Sequence, residues 1–406
     1  MVNEKNFKVT DYGVLTNTGE NQTINFQRTI NVCYQNGGGN VIVPGGIYII
    51  GSIRLFSNIT LILKSGANII GSKLLADYTN FEKNTNIEYL EDPYFIKMWH
   101  LPPYYFQALI SAYDAENVSI IAEPGALING SDIFDAGGEE KFRGPMGIVF
   151  SKIKGVKLSG YIFENSSNWS HTIESCNNVS INNVTINAGH DGFNLHHSKD
   201  IKVNGCILRT GDDCFAGYDV QNLTVSDCYL NTSCNVMRIG GNNIRFNRCL
   251  GIGPGTYPHR GTNTNYTHAF FKYYAPDVAV TQRDSNNIIF NNFILDDFDK
   301  LVFYEHNNRE IMQDGRALTS VILSNFQISN QNSTSIFKGN GEHATLEIVD
   351  SIISVNSDRI FLKIDKDVTF KMSNVYFSQK TQVEVENDEI IVLAGLVNIV
   401  LNDKIK

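Results

Sequence analysis

The sequence predicts an all-β chain, a right-handed single-stranded parallel β-helix with an amino-terminal cap. Two observations predict it: a phrase that returns about every 22 residues, and two-fold alternation of apolar and polar residues within each phrase. From about residue 117 the phrase is Asn or Asp, an alternating segment, then a second short apolar strand, as in NVSINNVTINAG, DIKVNGCILRTG, NLTVSDCYLNTS, NIRFNRCLGIGP and NIIFNNFILDDF. Its first inward apolar residues are Val156, Val179, Ile201, Leu223 and Ile244, at steps of 23, 22, 22 and 21. One phrase is too short to bury its own apolar face, so it must stack on its neighbours. The β-branched residues favour strands over helices.

The remaining elements follow in order along one domain, residues 1–406. Residues 1–80 read as the cap and first coils, with a short helix around Asn25 to Tyr34 that covers the open end, then the strands of IVPGGIYIIGSIRLFSNITLILKSGANIIGS. Residues 81–310 hold the coils that carry chemistry, with insertions near 84–106 and 251–270. The first insertion carries Tyr89, Tyr94, Phe95, Trp99, Tyr104, Tyr105 and Phe106, either a hydrophobic lid or platforms for sugar rings. The step of 44 from Ile244 to Ile288 reads as two turns, with GIGPGTYPHRGTNTNYTH spending most of one outside the stack. Residues 311–406 are structural coils with looser steps.

Composition narrows the partners. The chain has 406 residues, 42% of them hydrophobic and 18% charged, and a net charge of -9, so it can bury a large core and does not attract nucleic acid or an anionic membrane. The seven cysteines, Cys33, Cys176, Cys206, Cys214, Cys228, Cys234 and Cys249, are odd in number and form no CxxC pair; they read as reduced, packed thiols. The start MVNEKNFKVT has no leader-like apolar region, so a cytoplasmic location is expected, though a mature secreted form would read the same way. No cofactor or metal is expected.

The chemistry is read from row arithmetic. Residues one turn apart in a parallel β-helix lie above one another at about 4.8 Å. Trp169, Asp191, Asp213 and Asn235 are each 22 apart and so form one row, with Asp212 beside Asp213 and with Gly189, Gly192 and Gly211 easing the backbone. Crowded carboxylates raise one another's pKa. Three readings are open: turn aspartates that cap amides, a calcium site, or glycoside hydrolysis, in which one carboxyl donates a proton and another activates water.

These residues resemble a known family. The run HDGFNLHHSKDIKVNGCILRTGDDC, His190 to Cys214, is similar to the paired signatures of the pectin-degrading polygalacturonases, glycoside hydrolase family 28. The phrases VTDYG, GGGNVIVPGGIY and AYDAENVSI extend the resemblance over roughly residues 7 to 305. It implies a pectin-lyase-like solenoid and an inverting mechanism, with Asp212 as general acid and Asp191 and Asp213 activating water. The chain departs from the family twice: Asn235 stands where the family has a histidine, and Phe270, Phe271 and Lys272 stand where it has an Arg-Ile-Lys that clamps a uronate carboxylate. Arg238 or Arg260 could supply the missing cation, and Phe270 could instead lie against a deoxysugar or neutral hexose.

Further candidate substrate-binding residues are His190 before Asp191, Trp169 as a subsite floor, and Tyr304 with Glu305 and His306. His196 and His197 are adjacent in a strand and point to opposite faces, which argues against a metal pair. The expected function is an inverting hydrolase of pectin-type or related saccharides, exo-acting if the insertions around Trp99 and Arg260 wall off one end. The alternatives are a uronide lyase or epimerase, and a non-catalytic, tailspike-like carbohydrate-binding β-helix.

Overall fold

Short alternating strands become stable only when each coil buries its apolar face on the next. A computed structural model shows this arrangement throughout residues 5–79, 107–355, 360–386, 391–395 and 397–403, the residues it describes. The fold is the right-handed parallel β-helix that the sequence predicts. Its coils fall into two compact units, Met1–Ile207 and Leu208–Lys406.

In the amino-terminal unit the strands line up in three parallel ladders. One runs from Gly39–Val43 through Ile59–Leu63 and the later parts of Ala108–Ala122 and Met146–Ser159 to Asn177–Asn182 and Lys199–Asn204. A second joins Gly46–Ile50, Ala67–Gly71, Leu127–Asn129, Ile162–Glu164 and Thr185–Ala188. The third stacks Ile53–Arg54, the early parts of the two long strands, His171–Glu174 and Phe193–His196. Val118, Val156, Val179 and Ile201 form one inward row, none more than 3% exposed. Burying each such side chain is favourable by about 1.5–3 kcal/mol.

The expected cap helix is Thr23–Gln35. Phe26, Thr29, Ile30 and Cys33, spaced as one helical face, are buried, while Ile24 and Tyr34 on other faces are exposed. Gly38 ends it at φ 94°, with its N–H on the Cys33 carbonyl at 3.0 Å; a β-carbon there would collide with the Asn58 carbonyl.

The carboxy-terminal unit repeats the plan. Leu223, Ile244, Ile288, Val321, Leu346 and Phe370 are successive register partners, all fully buried. Asparagines mark the phrase boundary because their side chains tolerate the left-handed region and bond along the stack. Asn222 and Asn243 have φ of 53° and 56°; Asn243 donates to Asn222 at 3.0 Å, and Asn287 donates to Asn243 at 2.8 Å.

One expectation is corrected here. Ile244 pairs directly with Ile288, so the 44 residues between them are a single turn. Met237 pairs with Phe271 after 34 residues, so the 22 extra residues divide into 12 between Ile252 and Ala269 and 10 between Tyr273 and Asn286. Two insertions that add up to one coil length imitate a skipped coil. The aromatic insertion near 84–106 lies outside the described residues.

Candidate active site

Asp212 and Asp213 sit in the turn before the strand Phe215–Ser226, where Thr210 and Thr232 both donate their hydroxyls to the Asp212 carbonyl and fix the backbone. The Asp213 N–H donates to Asp212 Oδ1 at 3.1 Å. Asp213 is 1% exposed, and its Oδ1 accepts both the backbone N–H of Asn235 at 3.1 Å and the Asn235 side-chain amide at 2.7 Å. Arg238 Nη1 lies 3.7 Å from its other oxygen. Burial pushes the Asp213 carboxyl up and the Asp212 carboxylate adds to the push; Arg238, the Asn235 amide and Lys272 oppose it. Two carboxyls this close titrate as a unit.

Arg238 and Lys272 are register partners on neighbouring strands, Asn235–Ile252 and Ala269–Tyr273. The Arg238 guanidinium lies 3.7 Å from the centre of the Tyr274 ring, which holds it flat. Burial, then the Arg238 charge, bring Lys272 down to about 8. Stacking two cations is costly unless an anion faces them.

The insertion after Ile252 carries His259. Its Nε2 lies 3.6 Å from Asp212 Oδ2, and its Nδ1 meets the Thr262 N–H at 3.2 Å and the Thr262 hydroxyl at 3.1 Å. Cys234 lies between Ser233 and Asn235 and accepts from the Asn235 amide at 3.2 Å. His268 donates its N–H to the Cys234 carbonyl at 2.7 Å; burial lowers its imidazole to about 4, with the His259 and Lys272 charges adding to the effect.

In the amino-terminal unit, Asp191 is 3% exposed and accepts from the Asn194 amide at 2.9 Å. The Ser170 N–H donates to the Asp191 carbonyl at 2.9 Å and His171 pairs with Phe193, so Trp169 falls one coil before Asp191 as the row arithmetic expects. The Trp169 indole is nearly closed, edge-on to His196 with ring centres 5.8 Å apart, which leaves little face for a sugar. His190 stacks on Phe142 at 6.1 Å. His196 is buried and is the register partner of the buried Glu174; His197 is half-buried.

Two expected binding residues are structural. Phe270 is fully buried, with its ring edge-on to Phe290, Phe293 and Phe326, and so cannot lie against a sugar. Tyr304 is fully buried too: its hydroxyl accepts from the Leu318 N–H at 3.1 Å and its ring packs edge-on to Tyr273 and Phe337. Arg260 is exposed in the insertion. None of the seven cysteines is joined in a disulfide, and all but Cys234 are buried. His259, Cys234, Tyr274 and Glu174 escape the sequence reading. The register would have found Glu174, which stands 22 residues before His196, but no repeat rule reaches His259 in an insertion.

Residues 104–240 match the model of glycosyl hydrolases family 28, so the resemblance read from the sequence is borne out over those residues. No curated protein sequence matches the chain. Among solved structures, the Yersinia enterocolitica family 28 exopolygalacturonase is similar at TM-score 0.67 and 16% identity over 99% of this chain and 79% of that one. The hyperthermoactive exopolygalacturonase from Thermotoga maritima is similar at TM-score 0.67 and 17% identity, covering 93% of this chain and 92% of that one. The polygalacturonase from Erwinia carotovora is similar at TM-score 0.56 and 14% identity, covering 98% and 97%. At these identities the likeness establishes the fold.

Proposed function

We propose that the chain is an inverting glycoside hydrolase that cleaves pectin-type oligosaccharides and grips a uronate carboxylate with Arg238 and Lys272. The observation that carries this reading is the Asp212–Asp213 pair placed beside those two register-stacked cations. Asp213 Oδ1 receives two N–H donors and Arg238 stands 3.7 Å from its other oxygen, which favour its ionised form against the push of burial, and the acid role falls to Asp212 as the resemblance implies. Asp212 then delivers its proton to the leaving glycosidic oxygen. Asp213, joined on the 22-residue spacing of the sequence by Asp191, takes a proton from the water whose oxygen attacks the opposite face of the anomeric carbon. The pair recovers its starting state by exchanging protons with solvent.

Arg238 stands in for the lost arginine of the resemblance from a different strand, with Tyr274 as the backing that keeps its fork planar. The insertion that carries His259 close to Asp212 suits exo action. The test is product release from oligogalacturonides, rhamnogalacturonan fragments and neutral oligosaccharides. Single uronate units released with inverted anomeric configuration are expected. Random mid-chain cuts in a long polymer would remove the exo reading, unsaturated products would point to a lyase, and tight sugar binding without turnover would leave a binding module.

Lys272 gives this reading a pH signature. Its ammonium is charged below about 8 and loses its proton as the pH rises through that value, while the uronate stays ionised. KM for a uronide should therefore climb above pH 8, whereas a Lys272→Arg variant keeps a flat KM to higher pH because its guanidinium does not titrate there. Lys272→Met should raise KM at neutral pH by roughly 10- to 100-fold, as loss of a charged hydrogen bond does. A KM for Lys272→Met equal to wild type would remove Lys272 from substrate binding.

A further inference from the structure

Asp212, Cys234 and His259 each offer one donor atom, and the three atoms lie within 4.8 Å of one another. We propose that they form a site for a thiolate-preferring divalent cation of the zinc class, and that the cation inhibits by occupying the carboxylate of Asp212. The inhibitory part rests on the hydrolase reading; the binding part does not.

The geometry is close to what such an ion needs. Bonds of about 2.0–2.3 Å in a tetrahedron place ligand atoms about 3.3–3.8 Å apart. Asp212 Oδ2 and His259 Nε2 are already 3.6 Å apart, so closure takes a small movement of the loop that carries His259. The donor set is chemically selective: a thiolate and an imidazole suit zinc or cobalt and do not suit calcium or magnesium, which take oxygens. Thr262 supports either state of His259. Its N–H donates to Nδ1 when the proton is on Nε2; when Nε2 binds a metal, Nδ1 carries the proton and donates to the Thr262 hydroxyl, 3.1 Å away, while the Thr262 N–H must turn aside as the loop closes. Binding replaces the Cys234 S–H bond by S–metal and releases one proton to solvent.

A fourth group stands near. His268 bonds through its backbone to Cys234, and its Nε2 is buried with no hydrogen-bond partner among the described residues. A buried ring nitrogen left without a partner is costly, but His268 is not among the residues whose donor atoms converge, and the site does not depend on it. None of Cys234, His259 and His268 has a role in the proposed acid and water-activating steps.

The test is a titration of Co²⁺ into the purified full chain, read by absorption. A thiolate-to-cobalt charge-transfer band is expected, saturating at one ion per chain and abolished by Zn²⁺. Cys234→Ser should lose the band and weaken Zn²⁺ binding by about 100-fold or more, and Thr262→Ala, which keeps all three ligands, should weaken it by about 10-fold. No band, or equal Zn²⁺ affinity in wild type and Cys234→Ser, overturns the site. In the activity arm, Zn²⁺ should inhibit wild type, while Cys234→Ser keeps the metal-free rate and resists inhibition. Full wild-type turnover with the site saturated overturns the inhibition, and a chain that cleaves no glycoside overturns the hydrolase reading while the cobalt band still decides the site.

Discussion

Asp212→Asn lowers kcat on an oligogalacturonide by about 10²–10⁴-fold, the usual worth of a positioned proton donor, or about 3–5 kcal/mol of barrier. The substitution is nearly isosteric. Its amide oxygen can still accept the Asp213 N–H that now reaches Oδ1 at 3.1 Å, and the Asp212 carbonyl keeps the Thr210 and Thr232 hydroxyls, so the turn and KM should hold. What is lost is the proton. An aryl glycoside with a good leaving group needs little protonation, so Asp212→Asn should lose far less on it than on the natural bond. Asp213→Asn should lose about equally on both, since water activation does not depend on the leaving group. Steady-state kinetics of the two variants on the two substrates checks the assignment. Equal losses for both variants on both substrates would contradict separate roles and leave a carboxylate pair that merely shapes the turn.

The repeat made the fold legible because a β-helix turns sequence spacing into vertical neighbours. The inward aliphatic rows, the asparagine boundary and the Asp213–Asn235 contact all follow from adding about 22. The same arithmetic fails where the chain leaves the stack. His259 approaches Asp212 from an insertion whose path no period encodes, and the two insertions of this turn add up to one coil length, which hid the direct pairing of Ile244 with Ile288. Side-chain direction failed at Phe270. Alternation puts it on the face of Lys272, two residues on, yet its ring is buried among aromatic neighbours while Lys272 is not fully enclosed. Aromatic packing overrode the two-residue period there, and a substrate role was read into a core residue.

Phe270→Ala accordingly destabilises the protein by about 3–5 kcal/mol and leaves KM for any accepted saccharide within about two-fold of wild type. The ring fills a hollow between Phe290, Phe293 and Phe326, with centre distances of 5.0, 4.9 and 5.5 Å and edge-on angles, so its removal forfeits burial, dispersion and the aromatic geometry together. Phe290 and Phe293 share the strand Asn286–Phe298 and Phe326 lies on the next coil, as the register partner of Phe293, so the cavity lies inside the stack and cannot collapse without moving more than one coil. Phe270→Leu keeps most of the volume and should cost nearer 1.5 kcal/mol. Urea unfolding of the two variants, read together with KM, separates the roles. A sugar-facing phenylalanine would show the opposite pattern, an unchanged unfolding midpoint and a raised KM. That result would return Phe270 to the binding surface and reopen the case for a deoxysugar or neutral hexose, because the residue standing where the resemblance has its arginine would then be a contact the substrate uses.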